Sequence, residues 1–477
     1  MMLGNSPPSN SADRWREHLN TLRATVALHA GQQTPSTATP VVALQARRIV
    51  LDTLGCALAG RHAPQVQRLE EIMASGETGS FRFPGGKSLT THCATQILAM
   101  AATWDEACEG HAMAHGRPGV ALAAALWPLA LHKGMTLSQL VDAFVLGYEV
   151  GARAGMWLRI KPGMHVDGNW PALGVAAGAA RLMGLGAAGI EQAINIAACQ
   201  LASSLYLPVA AGCTARNTYL AHSASLGLQA AMGSAAGIDA PMDALAHYAD
   251  HYAQAAVLPM PQASTNLLLD AYLKPFAAVR HVHYGALAAL RIRERLKGDT
   301  TGIERIVLSV YEEAIVYCGN RAPRTPIQAQ FSLSFGAAAM LRFGVLDPSV
   351  YETTCFNDPE LRRLESLVEL QVDDGLSARG ERGANLKVVH AQGDFQESVT
   401  SVLGDVSQPL DNKAVATKFQ HYASRNVAKE NAALFCNTLL DAPDIALREL
   451  WQQLSPKALC QPEQSIAVPA TTATFST

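Results

Sequence analysis

The chain has 477 residues, of which 37 are Lys or Arg and 40 are Asp or Glu, so its formal net charge is −3. Hydrophobic residues make up 49% of the sequence and charged residues 16%, which excludes a wholly disordered protein. The near-neutral balance argues against a nucleic-acid-binding protein and against a polybasic protein of membrane surfaces. This length is compatible with two or three domains.

The nine cysteines are scattered and include no Cys-x-x-Cys pair. The sequence therefore predicts neither a disulfide framework nor a structural zinc site, and we expect a cytoplasmic protein. Residues 1–13 lack a basic segment followed by an apolar one, so they do not resemble a signal peptide. We expect these residues and the Thr/Ala/Ser-rich tail, 461–477, to be disordered.

The predicted elements of the first half are helices. Thr136-Leu-Ser-Gln139 fits a capping box, and apolar residues follow it at helical spacing. Segments 119–132 and 170–183 are almost entirely apolar, which is typical of helices buried on all sides. Gly184-Leu-Gly-Ala-Ala-Gly189 matches a dinucleotide-binding pattern, but it follows a helix rather than a strand. We interpret it as a helix stop followed by a new helix.

Arg216 is isolated between two long uncharged stretches. There are 24 uncharged residues between Glu191 and Arg216, and another 22 between Arg216 and Asp239. Length alone would allow two transmembrane helices, but Gln, Asn, Ser and Thr residues interrupt both stretches. We therefore expect buried elements of a soluble protein. Because a buried lone cation is costly unless it meets an anion, Arg216 is expected to have an anionic partner.

The pattern changes after residue 300, where alternating segments predict strands. We expect strands over 304–311 and 367–372, and a hairpin over 386–399 that turns at 392–394. Helices are expected over 284–297 and 332–343, and helical spacing returns after about residue 411.

The sequence therefore predicts a mainly α fold, in which a smaller α+β domain is inserted into a large all-helical domain. The predicted boundaries are 14–269 for the helical domain, 270–405 for the α+β domain, and 406–460 for C-terminal helices that return to the helical domain.

The densest polar cluster is segment 104–119, Trp-Asp-Glu-Ala-Cys-Glu-Gly-His-Ala-Met-Ala-His-Gly-Arg-Pro-Gly. Its glycines and proline precede a predicted helix, whose free N–H groups favour anions. His111 and His115 are four residues apart, so a metal site is one alternative, and an inert surface loop is another. Since Gly110 and Gly116 weaken a regular helix, we favour an acid–base and anion site.

Further candidates lie at predicted junctions between loops and helices. They are His165, Arg216, the cluster of Lys274, Arg280, His281 and His283, and the group of Tyr317, Asn320 and Arg321. Taken singly, such residues are more often structural. Taken together, histidines and cations at these junctions suit a small anionic substrate, and we expect a carboxylate.

At these residues the sequence resembles the MmgE/PrpD family, from about residue 40 to about residue 455. The resemblance rests on the order and spacing of several motifs. They are Arg47-Arg-Ile-Val-Leu-Asp-Thr-Leu-Gly-Cys-Ala-Leu-Ala-Gly60, loop 105–119, His165, Arg216-Asn-Thr-Tyr219, Lys274-Pro-Phe276, Arg280-His-Val-His283, Tyr317 to Arg321 and Ala329-Gln-Phe-Ser-Leu333.

The resemblance implies a helical domain, a smaller α+β lid and an active site between them. It also implies a homodimer, formed through the helical domain, that acts on small polycarboxylates without a cofactor or metal. By motif position it implies catalytic roles for Asp105, His115, His165, Lys274 and Tyr317.

The sequence departs from the family pattern at two places. The loop of dehydratase- and decarboxylase-like members reads Asp-Asp-Thr and ends His-Pro, whereas here Glu109 replaces the threonine and Gly116-Arg117 follows His115. Arg216 stands where the decarboxylase has a substrate-binding lysine. A guanidinium binds a carboxylate at two points, while an ammonium acts as a point charge, so these changes concern the substrate more than the reaction class.

Removing a proton next to a carboxylate adds negative charge to an anion, and well-placed cations lower that barrier. We expect Arg216 and Lys274 in this role. Weaker candidates for binding substrate are Arg117, Arg321 and His283.

His115 and His165 are the candidates for the general base and general acid. Asp105 would orient His115 or accept the proton itself, and Tyr317 would donate a hydrogen bond to the substrate. The leading hypothesis is a cofactor-independent lyase that dehydrates or decarboxylates a small di- or tricarboxylate. An epimerase of a small dicarboxylate is the close alternative, and a non-catalytic metabolite-binding scaffold is the second.

Overall fold

The structure, a computed structural model, describes residues 14–30, 39–76, 78–252 and 259–454. The disorder predicted for 1–13 and 461–477 lies outside the described residues, and so does the end of the predicted C-terminal helical segment. The described chain is mainly helical.

Helices dominate the chain up to residue 252. They are α1 (Arg16–Ala30), α2 (Pro40–Gly60), α3 (Pro64–Gly76), α4 (Thr91–Ala102), α5 (Pro118–His132), α6 (Leu137–Trp157), α7 (Pro171–Leu182), α8 (Ala187–Ala198), α9 (Leu207–Ala211), α10 (Tyr219–Ala235) and α11 (Ala244–Tyr252). Short 3₁₀ turns at Val166–Gly168, Thr214–Thr218 and Leu267–Asp270 join some of the later elements.

Local sequence signals set several of these boundaries. The predicted capping box is confirmed, because the Thr136 side chain accepts the N–H of Gln139 while the Gln139 side chain accepts the N–H of Thr136. The glycine pattern at 184–189 is the predicted helix stop, since Gly184 has φ +82° and Gly186 is the N-cap of α8.

Small side chains let the central helices pack closely. Almost every residue of α5 and α7 is buried, as their apolar sequences predict. A Cβ at Gly174 of α7 would lie 2.5 Å from the carbonyl oxygen of Gly147 in α6, so these two helices touch through their backbones. Such contact explains why glycine stands at both positions where α6 and α7 cross.

Six two-residue strands form three short ladders, two of them within the helical body and one that joins that body to the α+β segment. These strands are β1 (Phe81–Arg82), β2 (Ser88–Leu89), β3 (Gly110–His111), β4 (Met164–His165), β5 (Ser204–Leu205) and β6 (Ala271–Tyr272). The pairs β1–β2, β3–β6 and β4–β5 are antiparallel. The β3–β6 pair ties the polar loop 104–119 to the beginning of the α+β segment.

The α+β segment contains one four-stranded sheet of order β10-β9-β7-β8. Its strands are β7 (Ile303–Val310), β8 (Val368–Val372), β9 (Ala384–His390) and β10 (Phe395–Val399). The β7–β8 pair is parallel and the other two pairs are antiparallel. The predicted hairpin is therefore confirmed as β9 and β10.

Helices of the α+β segment accompany this sheet. They are α12 (Arg280–Arg295), α13 (Glu312–Cys318), α14 (Pro326–Gln330), α15 (Leu333–Phe343), α16 (Thr353–Phe356), α17 (Pro359–Ser366) and α18 (Asp374–Arg379). A 3₁₀ turn, Pro348–Tyr351, precedes α16. Helix α12 packs against β9 and β10, and α15 packs against α12 and β8.

The last helices are α19 (Asn412–Ala423), α20 (Lys429–Asp441) and α21 (Leu447–Gln452). Helix α19 packs against α2, which is the return to the helical body that the sequence predicts. The residue boundaries given above for the domains stay predictions. Within the described ranges, no helix combines the length and the apolar character that crossing a membrane would require.

Candidate active site

A cavity of about 620 Å³ lies where the polar loop 104–119, the α6–β4 loop and the α+β segment meet. Six of the nine residues predicted for the site line it. They are His115, Arg117, His165, Arg216, Lys274 and Tyr317. The structure therefore brings together residues that are up to about 200 positions apart in sequence, from His115 to Tyr317.

Two residues of the polar loop hold an unusual backbone conformation. Glu106 has φ +53° and His115 has φ +54°, and the third such non-glycine residue among those described is Lys297 in a helix-terminal turn. A left-handed conformation is unfavourable for these side chains and persists where the surroundings fix it, often at functional sites. Both residues line the cavity.

His111 fixes the loop between these two residues. Its Nδ1 accepts the N–H of Ala114 at 3.1 Å, which leaves the proton on Nε2 to donate to the carbonyl of Leu267 at 3.1 Å. His111 is buried, and both ring nitrogens are used by the protein itself. Its role in the structure is to hold the loop.

Glu106 is the centre of the charged groups in the cavity. Its carboxylate accepts hydrogen bonds from Arg216 at 2.6 Å, from Lys274 at 2.8 Å and from Arg117 at 3.1 Å. Lys274 also donates to the backbone carbonyl of Glu106 at 2.9 Å. All four side chains are buried. The anionic partner expected for Arg216 is therefore Glu106.

Asp167 completes this inner cluster by pairing with Arg117. Three cations then face two carboxylates, so the inner cluster has a net charge of +1. Burial alone would raise the pKa of Glu106, but Arg117, Lys274 and Arg216 outweigh it and hold that pKa well below its ordinary value. Glu106 is thus a poor base, and its chemistry is to neutralise and position the cations.

His165 lies beside the inner cluster and is only 11% exposed. Burial lowers its pKa to about 4, Arg216 and Arg117 add to this effect, and Asp167 opposes it. Its Nδ1 accepts the N–H of Asp167 at 3.2 Å, so the proton of the neutral ring is on Nε2. Near neutral pH, His165 is therefore an uncharged hydrogen-bond donor.

His115 differs from His165 because its side chain is exposed to the cavity. Its pKa is lowered, first by partial burial and then by Arg159 and Arg382. The imidazole is consequently neutral near pH 7 and available to accept a proton. The two histidines together supply a proton acceptor and a neutral hydrogen-bond donor in one cavity.

An aromatic row connects the helical body with the α+β segment across the cavity. His165 stacks on Tyr206, Tyr206 meets Tyr317 edge-on at 5.7 Å between ring centroids, and Tyr317 stacks on His281. His281 also shares a 2.5 Å hydrogen bond with Tyr311. Burial, and then Arg382 and Lys274, lower the pKa of His281 to about 3.

His283, predicted as a substrate-binding residue, does not line the cavity. It is buried, with Nε2 near the carbonyl of Ala278 at 3.0 Å and Nδ1 near Arg280 at 3.2 Å. Residues two apart on a helix point about 200° apart. Helix α12 therefore presents His281 to the cavity and His283 to the interior.

The structure also places Asp105 and Arg321 outside the cavity lining. Burial raises the pKa of Asp105 to about 7, and the negative charges of Asp347 and Glu352 add to this effect. Asp105 therefore lies on the side of the loop that faces residues 347–352. Arg321 is exposed, and its guanidinium is 3.4 Å from the carbonyl of Ser366. The catalytic role predicted for Asp105 and the binding role predicted for Arg321 have no geometric support at the cavity.

Glu109, which replaces the family's threonine, fills the helix end that was expected to bind an anion. Its Oε1 accepts the N–H of Gly119 in the first turn of α5 at 2.6 Å. Burial raises the pKa of Glu109 to about 8, so this side chain is mostly protonated near pH 7. The N–H of Gly119, in the first turn of α5, is thus bound by Glu109 rather than by an external anion.

The sequence pattern did not single out Glu106 or Asp167, and it indicated His281 only as a member of the cluster with Lys274, Arg280 and His283. The expected anionic partner of Arg216 was a signal for Glu106. That partner had to come from a charged segment, and segment 104–119 is the densest polar segment of the chain. Within the described part of the chain, no three His, Cys, Asp or Glu side chains are grouped to hold a metal ion. The absence of a metal or cofactor stays a prediction.

The fold and the cavity define an enzyme-like site in which acid–base groups and cations surround one small-molecule pocket. Comparison with known proteins identifies it further. Residues 25–257 match the MmgE/PrpD N-terminal domain and residues 276–441 match the MmgE/PrpD C-terminal domain. The chain belongs to the MmgE/PrpD family, and the matches support an enzyme of the dehydratase- and decarboxylase-like lyase type.

One similar curated protein is the cis-aconitate decarboxylase of Homo sapiens. It is 27% identical over 305 residues, and the match covers 60% of this chain and 62% of the human protein. The chain thus spans less than two thirds of that relative's length.

Proposed function

We propose that this protein is a cofactor-independent lyase that transfers a proton at the carbon next to a carboxylate of a small di- or tricarboxylate. In a dehydratase the base removes that proton, and the freed electron pair forms a double bond as hydroxide leaves and is protonated to water. In a decarboxylase the order is reversed, because loss of CO₂ leaves a carbanion that takes up a proton from the protonated base. The observation that carries the proposal is one cavity holding two neutral histidines beside a cation-rich cluster with a net charge of +1.

His115 is the proposed general base. It is neutral, exposed to the cavity and held by a fixed loop backbone. A base with a lowered pKa needs no deprotonation before it acts near pH 7, although it has less driving force than a base matched to that pH. The cationic surroundings that lower its pKa also attract the anionic substrate.

His165 is the proposed hydrogen-bond donor to the substrate. Its Nδ1 is occupied by a backbone N–H, so its Nε2–H is the group that can face a substrate oxygen. A neutral imidazole with a lowered pKa is a strong hydrogen-bond donor to a developing oxyanion. Tyr317, 45% exposed and placed between Tyr206 and His281 in the aromatic row, is proposed to bind the substrate from the side of the α+β segment.

The positive charge of the inner cluster would stabilise the anion that forms when the α-proton leaves. Removing one such preorganised donor typically costs about 2.7–4 kcal/mol of transition-state stabilisation. Because Glu106 already neutralises part of this charge, the cluster suits one substrate carboxylate rather than two. We propose that this carboxylate lies against Arg117, Arg216 and Lys274.

A panel of citrate-, aconitate- and succinate-type acids, followed by NMR in deuterated water, tests the function. A new double bond identifies dehydration, and CO₂ release identifies decarboxylation. Exchange of the α-proton with neither product would identify the dicarboxylate epimerase instead. If no acid in the panel reacts or exchanges, the lyase proposal is wrong and a metabolite-binding scaffold is the better description.

We also propose a homodimer formed through the helical domain and a cytoplasmic location. Gel filtration tests the homodimer, and cell fractionation tests the location.

A further inference from the structure

The loop between α6 and β4 carries a cation that the inner cluster does not use. Arg159 follows Trp157, the last residue of α6, by two positions. Trp157 and Leu158 are buried, which fixes the beginning of the loop. Its end is fixed by the N–H of Tyr206, which donates to the carbonyl of Gly163 at 2.9 Å. Arg159 lies between these anchors and lines the cavity.

The guanidinium of Arg159 is incompletely satisfied. Its Nη1 is buried and has no hydrogen-bond partner. Burial lowers the pKa of Arg159, and no carboxylate of the described chain opposes that effect. An arginine just after a helix often caps the last carbonyls, but the buried Nη1 makes no such bond. Because burial of an unpaired charged donor is costly, its partner is expected to be an external anion.

The other cavity arginines already have acidic partners. Arg117 and Arg216 bind Glu106, Arg280 pairs with Asp405, and Arg382 lies 3.6 Å from Glu313. Lys161, at the exposed end of the same loop, adds further positive charge to the cavity lining. The cavity therefore has two cationic regions, the inner cluster and the Arg159 loop.

We propose that Arg159 forms a second anion subsite, which binds the distal carboxylate of a dicarboxylate whose other carboxylate lies against the inner cluster. This inference rests on the proposed function and deepens it. Arg159 and His115 line the same cavity, and the charge of Arg159 adds to the effect of burial in lowering the pKa of His115, so a ligand held at both ends would lie beside the proposed base. A guanidinium can bind the distal carboxylate at two points, which fixes its orientation.

Calorimetric binding of succinate and butyrate, which differ in one carboxylate, tests the subsite. The wild type should bind succinate more tightly than butyrate. In Arg159→Met the affinity for succinate should fall by about 10- to 100-fold, because a charge-assisted hydrogen bond is lost, while butyrate binding changes little. Arg159→Lys should give an intermediate loss. Arg68→Met, on the exposed face of α3, is the matched control and should match the wild type.

Two results would overturn the subsite. One is succinate and butyrate weakening equally in Arg159→Met, and the other is succinate binding that is unchanged in both variants. If Arg159→Met fails to fold, as judged by circular dichroism, the intermediate loss in Arg159→Lys decides the question. Failure of the proposed function is a separate result, since it would appear as no turnover or exchange in the wild type even where succinate binds through Arg159.

Discussion

Replacing Glu106 with glutamine should destabilise the protein and make its stability depend on added anions. The isosteric Glu106→Gln keeps the shape of the side chain but removes the negative charge that Arg117, Arg216 and Lys274 share. The inner cluster would change from three cations against two carboxylates to three against one, and its net charge from +1 to +2.

The size of the effect follows from burial. All the groups of the inner cluster are buried, and removing one partner of a buried ion pair typically costs about 3–5 kcal/mol. We therefore expect the free energy of unfolding to fall by about that amount. A ligand present at 100 times its dissociation constant stabilises the folded state by about 2.7 kcal/mol. Because Glu106→Gln leaves one more cation without a partner, the variant should bind an external dicarboxylate more tightly than the wild type and gain more stability at the same concentration.

Urea denaturation with and without succinate measures both effects. Glu149→Gln is the matched control, because Glu149 pairs with Arg153 in a fully buried salt bridge of 2.5 Å that does not line the cavity. This control should lose stability too, but succinate should stabilise it no more than the wild type. The reasoning is refuted if Glu106→Gln is as stable as the wild type, or if succinate rescues both variants equally.

Three further predictions concern the histidines and the support of the site. His115→Ala should reduce kcat by about 10²- to 10⁴-fold with little change in the melting temperature, because the side chain is exposed; steady-state kinetics and calorimetry test this. His165 has a folded-state pKa of about 4, below its ordinary 6.5, so the stability it contributes is complete above pH 6.5 and is lost as the pH falls towards 4. Denaturation of the wild type across this window should therefore show a steeper loss than denaturation of His165→Gln. Lys418 donates to Asp52 at 2.5 Å and to the carbonyls of Ala107 and Lys274, so Lys418→Met should cost about 3–5 kcal/mol, and adding Asp52→Asn should recover part of it. Equal stability of the single and double variants would contradict that explanation.

Local signals allowed much of the fold to be predicted from the sequence. The Thr136 capping box, the glycine stop before α8 and the β9–β10 hairpin each depend on residues close together in the chain. Their hydrogen bonds are decided within a few residues, so the structure confirms them. The strand order of the sheet was not predicted, since it depends on contacts between segments about 60 to 80 residues apart.

The site was harder to predict because neighbouring residues face different ways. Asp105 and Glu106 are adjacent and both acidic, but the left-handed backbone at Glu106 helps to place Glu106, rather than Asp105, at the cavity. His281 and His283 also face different sides, because residues two apart on a helix point about 200° apart. The segments that carry the site are recognisable from their residue types, whereas the choice between neighbouring residues depends on the backbone and on the packing around it.

The central claim is that His115 abstracts a proton next to a carboxylate of the substrate. Deuterium incorporation at that carbon, measured by NMR in deuterated water for the wild type and His115→Ala, tests it most directly. The measurement uses whichever acid of the panel proves reactive. We expect incorporation or turnover in the wild type and a loss of about 10²- to 10⁴-fold in the variant. Equal rates in the two proteins would contradict the assignment of His115 as the base.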